Sequence, residues 1–213
     1  KWEVLDDFAE AAVQAGIPRT DDFNRGSNEG VAYFEVNQRD GWRWNTAKAF
    51  LRSALKRDNL TLWHSTQVNR LCFDEEQPTL RCTGVEVVRS GKPQRVQARK
   101  EVVLCAGAIG SPHLLQLSGI GPAEHLREHG IEVVHDLPGV GENLQDHLQI
   151  RSVYRVSNAK TLNAIASTLW GKAGIGWEYV TKRTGPMSMA PSQLGAFTRS
   201  SDDQPYPNIQ YHV

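Results

Sequence analysis

The feature that most limits the possible folds is the junction at residues 102–122, where the apolar run VVLCA passes directly into GAIGSPHLLQLSGIGP. An apolar stretch of strand length that turns through glycines into a helical pattern is a strand-turn-helix unit, and it places the chain among folds that mix helices with sheets. The pattern predicts a strand over VVLCA and a helix over SPHLLQLSG, with Ser111 at the cap and Pro112 in the first turn. Gly107 and Gly110 allow unusual backbone angles and a close approach by another group. The free N–H groups and positive dipole end of such a helix suit an anion such as pyrophosphate. The same glycines serve equally well as a packing corner, so at this point phosphate contact and packing both remain open.

Upstream of the junction the period is that of strands. LTLWHSTQVNRLCF, TGVEVVRS and QRVQAR are separated by DEEQP and SGKP, which reads as a small antiparallel meander. Further upstream, Leu5, Phe8, Ala12 and Val13 recur at helical spacing and stop at Gly16 and Pro18, giving a helix over roughly residues 4–15. VAYFEV is expected as a short strand, followed by a turn at residues 39–41. Thr46 or Asn45 can cap a second helix whose apolar face holds Ala47, Phe50, Leu51, Ala54 and Leu55. Beyond the junction, PAEHLREHG reads as a helix and IEVVHDL as a strand. Leu162, Ile165 and Leu169 suggest a further helix that Gly171, Gly174 and Gly176 weaken unless they permit close backbone approach. GPMSMAPSQLGAF reads as a turn and an irregular segment, and NIQYHV as a strand.

Several function classes find no support. With 24 Lys and Arg against 24 Asp and Glu, no charge excess points to nucleic acid. No apolar stretch approaches the length of a membrane span, and KWEVLDDFAEA is unlike a signal peptide, so a cytoplasmic location is expected. Cys72, Cys82 and Cys105 are odd in number and sit in apolar strand-like context, which suits buried reduced thiols. No GxxxxGK[ST] is present. GVGENL begins like GxGxxG, but ends in Leu144 and is cut off from its strand by Pro138, so it does not open a dinucleotide fold. His125 and His129 lie four apart among charged residues on a solvated helix face and do not read as a metal site. His147 follows Asp146, which can orient an imidazole, although adjacent residues rarely face each other. A chain that begins with Lys and stops within a strand pattern is expected to be a piece of a longer protein.

GAIGSPHLLQLSGIGP followed by LPGVGENLQDH resembles two signatures of the glucose-methanol-choline (GMC) oxidoreductases, a family of FAD enzymes. The likeness extends to GVAYFEVNQRDGWRWNTAKAFL, to TLN and to GPMSMAPSQLGAF. It implies an α/β fold with α+β character: part of an FAD-binding domain with an antiparallel meander, plus part of a substrate-binding domain. The implied division is 1–60 as a connecting region with two helices, 61–135 as FAD-binding and 136–213 as substrate-binding. It further implies that STQV, through Gln67 and Val68, contacts the adenine end of FAD, and that Cys105, Ala106 and Gly107 lie against its ADP half. His147 and Gln149 become substrate-side candidates. Where choline-oxidising members carry Glu two residues after QDH, this chain has Gln149, which implies a primary alcohol other than choline. The family's GxGxxG and its catalytic His are absent from this sequence. The implied portion is a middle part, roughly two fifths of such an enzyme, inactive and weak in FAD binding by itself. Two alternatives stand beside this: a non-catalytic, self-associating module, and a non-redox flavoprotein lyase of the same fold.

Overall fold

The computed structural model describes residues 2–74, 79–190 and 192–213. The chain divides into two compact units, Thr61–Arg151 and a split unit formed by Lys1–Leu60 with Ser152–Val213. Helices and mostly antiparallel sheets are mixed, as the resemblance implies.

In the split unit, helix α1 (Glu3–Gln14) turns Leu5, Ala9 and Ala12 inward. They pack on Val31, Leu194 and Ala196, and the last two are fully buried. Those partners belong to a three-stranded antiparallel sheet in the order β1 (Gly30–Tyr33), β9 (Leu194–Thr198), β10 (Ile209–His212), with Val31 and Tyr211 both opposite Ala196. The expected irregular segment is therefore a central strand. Its composition disguised it, because Leu-Gly-Ala-Phe has two small residues where strands favour branched ones. Gly195 is small of necessity, since a Cβ there would lie 2.0 Å from Cζ of Phe34. Phe23, Phe34 and Phe197 close one side of this sheet with ring centres 4.9–6.5 Å apart. Tyr33 donates a 2.6 Å hydrogen bond to Asp6 Oδ1. Burial, and then the Asp6 carboxylate, push the Tyr33 phenol up to about 12.

A two-residue turn at Asp40 and Gly41 joins β2 (Gln38–Arg39) to β3 (Trp42–Arg43). The helix expected next is not regular. It opens as a π-helical turn, Ala47–Leu51, and continues as the single turn α2 (Arg52–Ala54) with no buried residue. Asn45 does act as the cap, its Oδ1 accepting the Lys48 N–H at 3.0 Å. The wider turn breaks the 3.6-residue phase, so the apolar positions fail to form one buried face, and Phe50 is 71% exposed.

Near the end of the chain, Thr161 caps α5 (Leu162–Ile165) and Thr168 caps α6 (Leu169–Lys182), each hydroxyl accepting a first-turn N–H. Gly171 provides the close approach that the glycine-weakened pattern required, since a Cβ would fall 1.9 Å from the Ile165 carbonyl oxygen. Gly174 and Gly176 face open space. Arg183 ends α6 in the left-handed region and lays its guanidinium 4.3 Å from the Trp42 ring centre.

In the second unit the meander follows the sequence closely, whereas the strand expected over IEVVHDL is reduced to two residues, His135–Asp136. β4 (Thr66–Asp74), β5 (Arg81–Arg89) and β6 (Lys92–Gln97) form the antiparallel meander. The β5–β6 turn is Ser90-Gly91, both at positive φ, as a two-residue hairpin requires. The DEEQP turn lies largely outside the described residues. Between Val68 and Arg70 the β4 register slips, because Asn69 is an extra residue opposite β5. Helix α3 (Gly107–Leu117) packs on β4. Next come β7 (Ile120–Gly121), α4 (Ala123–Glu128) and β8 (His135–Asp136), where β7 and β8 pair in parallel.

Two expectations at the junction are corrected. Residues 102–105 have no regular secondary structure and belong to no sheet, because no described segment pairs with them. Helix α3 begins at Gly107, so Ser111 is not its cap and Pro112 lies inside it. Only Cys72 is buried; Cys82 is half-buried and Cys105 is exposed, because VVLCA lacks sheet neighbours to cover it. All three thiols are free. Among the described residues no helix is long and apolar enough to cross a membrane.

Candidate functional site

Gln67, Val68, Cys105 and Ala106 converge on one cleft of about 470 Å³ between the start of β4, the 102–105 run and α3. Gly107 follows Ala106 in the chain but is not among the residues that line the cleft. The walls are apolar, formed by Val68, Leu71, Val85, Val102, Leu104, Leu114 and Leu117, and Thr66, Gln67, Cys105 and His113 supply polar groups. Volume and character both fall in the range of small-molecule sites.

Local chemistry explains why these residues meet. The Asn69 bulge resets the alternation of β4, so Thr66, Val68 and Leu71 all face the cleft. Without it Leu71 would point away from Val68. Ser118, at the end of α3, is buried and locks this geometry. Its Oγ accepts the Leu71 N–H at 2.8 Å and donates to the Leu114 carbonyl at 2.5 Å. At the other end, Gly107 has φ 84°, and an added Cβ would meet nothing within 4 Å. Glycine is needed there for its backbone angle, not for space.

The N-terminus of α3 has no side-chain cap and no acidic residue in its first turn, which leaves positive dipole character at the cleft edge. Ser111 Oγ accepts the Ala106 N–H at 3.0 Å, so that donor is occupied. Gln67 Nε2 donates to its neighbour's carbonyl, that of Val68, at 3.0 Å. The polar groups around the cleft are thus few, and shape and apolar contact dominate. These residues suit the adenosine part of a nucleotide cofactor, which offers an apolar base face and a few polar edges. They do not form a phosphate cradle.

The substrate-side candidates are not in this cleft. His147 and Gln149 lie in an exposed segment without regular secondary structure, residues 142–150, where no helix follows GVGENL and Asn143 takes a positive φ of 55°. The Asp146 carboxylate lies 3.9 Å from His147 Nδ1, with both side chains more than 80% exposed, and accepts the His147 backbone N–H at 2.8 Å.

Sequence reasoning missed Ser118, Thr66 and His113. The signal for Ser118 was a lone hydroxyl between the apolar end of a helix and Gly119. It also missed a wider cleft of about 960 Å³ in the split unit, lined by Asn37, Gln38, Asn45, Tyr179 and Met187 among others, with Arg43 the only charged residue among the described ones that line it. In the loop before β9, Gln193 has a buried side-chain oxygen with no hydrogen-bond partner among the described residues.

Residues 3–149 match the family described as GMC oxidoreductase. The chain belongs to the GMC oxidoreductase family. It is 43% identical to mitochondrial choline dehydrogenase of Homo sapiens over 96% of its own length and 34% of that protein. Against oxygen-dependent choline dehydrogenase of Paraburkholderia xenovorans the identity is 42%, over 96% of this chain and 36% of the relative. Among solved structures, an FAD-dependent oxidoreductase from Chaetomium thermophilum superposes with TM-score 0.77 at 26% identity, covering 92% of this chain and 34% of that one. A fungal aryl-alcohol oxidase gives TM-score 0.74 at 28% identity, covering 91% and 33%. The chain thus spans about a third of the length of these GMC relatives. The mixed fold and the FAD-family assignment that the two signatures implied are both borne out.

Proposed function

We propose that this chain supplies the adenosine side of the FAD site, with part of the substrate domain, in an oxidoreductase that acts on the CH–OH group of a small alcohol. The observation that carries the reading is the convergence of Gln67, Val68, Cys105 and Ala106 on one cleft in a member of the GMC family. Bound flavin would supply the hydride acceptor. The chain's own residues would seat the base against Val68 and Leu71 and bring the backbone at Ala106 and Gly107 close to the ribose and ADP. The division into 1–60, 61–135 and 136–213 belongs to the same reading, as do a cytoplasmic location, which the free thiols support, and His147 and Gln149 as substrate-side residues. Gln149 favours an uncharged primary alcohol over choline, since an amide gives up most of the ion pairing with a trimethylammonium group.

Without GxGxxG and a catalytic His in this sequence, the chain is expected to be inactive and to hold nucleotide weakly. Cys105 gives a direct test. Millimolar ADP should slow alkylation of exposed Cys105 and leave half-buried Cys82 unaffected; unchanged Cys105 reactivity at saturating ADP rejects the cleft as the site. A flavin absorbance band that survives gel filtration would overturn the weak-binding expectation. Anaerobic addition of an alcohol to the full-length protein should bleach its flavin, whereas a non-redox lyase of the same fold would leave the spectrum unchanged.

A self-associating module is the second reading, favoured by exposed apolar side chains: Trp170 at 88% and Trp177 at 72% on α6, and Leu148 at 96%. Light scattering tests it, and a monodisperse monomer at high concentration rejects it.

A further inference from the structure

His125 and His129 stand one turn apart at the end of α4, with ring centres 4.7 Å apart and planes at 76°. Two imidazoles bound to one ion through nitrogen–metal bonds of about 2.0–2.1 Å hold their ring centres roughly 4.5–5 Å apart. The two rings, in an edge-to-face contact, have a centre-to-centre spacing within that range. Both rings line a cleft of about 440 Å³ with His113, Leu117, Leu126 and Ile131. Fully buried Leu126 anchors the helix beneath them. Their exposure leaves both rings open to an ion from solvent.

The local charge favours a cation. Glu124 and Glu128 flank the pair against the single Arg127, and Glu132 follows. His129 caps the C-terminal end of α4, where the helix dipole is negative. Among the described residues no group of three or more His, Cys, Asp or Glu is arranged to hold a metal.

We propose that His125 and His129 form a two-imidazole site for a borderline divalent cation of the Zn²⁺ and Ni²⁺ class, its remaining positions filled by water. The site is independent of the flavin reading. It selects against Mg²⁺ and Ca²⁺, which prefer oxygen ligands.

Titration calorimetry of the chain with Zn²⁺ at neutral pH tests it. One ion should bind, and His125→Gln and His129→Gln should each weaken binding at least about tenfold, because either change leaves a single imidazole. Both positions are exposed, and circular dichroism checks that the fold is kept. His113→Gln should change the affinity less than about threefold, since two imidazoles remain. Three results would overturn the proposal: no Zn²⁺ binding up to millimolar concentration, unaltered affinity in both α4 variants, or a loss in His113→Gln as large as in the α4 variants.

Discussion

The two units of this chain reach order by opposite routes. In Thr61–Arg151 the sheet joins neighbours in sequence, β4 to β5 and β5 to β6, and only then does α3 return to pack on β4. In the split unit the central strand β9 pairs with β1 from the far end of the chain, Tyr33 opposite Leu194. The first arrangement can form as the chain zips along, whereas the second must close a long loop before any reward arrives. A unit built from adjacent segments is set by local patterns, while one built from distant segments rests on a few buried residues at the seam.

The seam should therefore be the more fragile. Leu194→Ala removes a fully buried side chain and should cost about 2–5 kcal/mol. Urea unfolding followed by tryptophan fluorescence reports it, because Trp2, Trp42, Trp44, Trp170 and Trp177 all lie in the split unit. A loss below about 1 kcal/mol would mean that the seam has other support and would blur the contrast.

The other unit has its own long-range tie, Ser118. Ser118→Ala leaves the buried Leu71 N–H without its acceptor and should cost about 1–3 kcal/mol. Faster hydrogen exchange at Leu71 and earlier alkylation of buried Cys72 along a urea series would register it. If both stay unchanged, the sheet holds its geometry without α3.

The smallest effect is expected at Tyr33. Its phenol is raised in the folded state to about 12, above the ordinary value of about 10, so the folded chain holds that proton more tightly. The associated stability is fully present below pH 10 and is lost as pH rises from 10 toward 12. Tyr33→Phe should be less stable than the parent by about 0.5–1.5 kcal/mol near pH 8, with the gap closing through that window. A gap that does not narrow with pH would place the effect in packing and not in the bond to Asp6.

The same contrast governs how much was legible in the sequence. The meander, α1 and α4 could be read because hydrophobic period and turn residues encode them locally, whereas the pairing of STQV with Cys105 and Ala106 was legible only through the resemblance to the GMC family. Strand β9 could not, since its small residues answer to the Phe34 ring. The helix after Asn45 was misread because its π turn changes the phase while keeping the apolar composition. VVLCA has the composition of a buried strand, but a strand also needs a neighbour, and composition cannot say whether one is at hand. Ser118 stood in the motif in plain view, yet its bond to Leu71 exists only because Asn69 shifts the register.

That single residue works as a phase marker for β4. Removing Asn69 would delete no charge and empty no part of the core, since its side chain is exposed. Yet it would restore strict alternation and turn Leu71 to the opposite face from Val68. Insertions and deletions at this point should thus be tolerated far less well than substitutions, and Asn69 should be replaceable in kind but not in number.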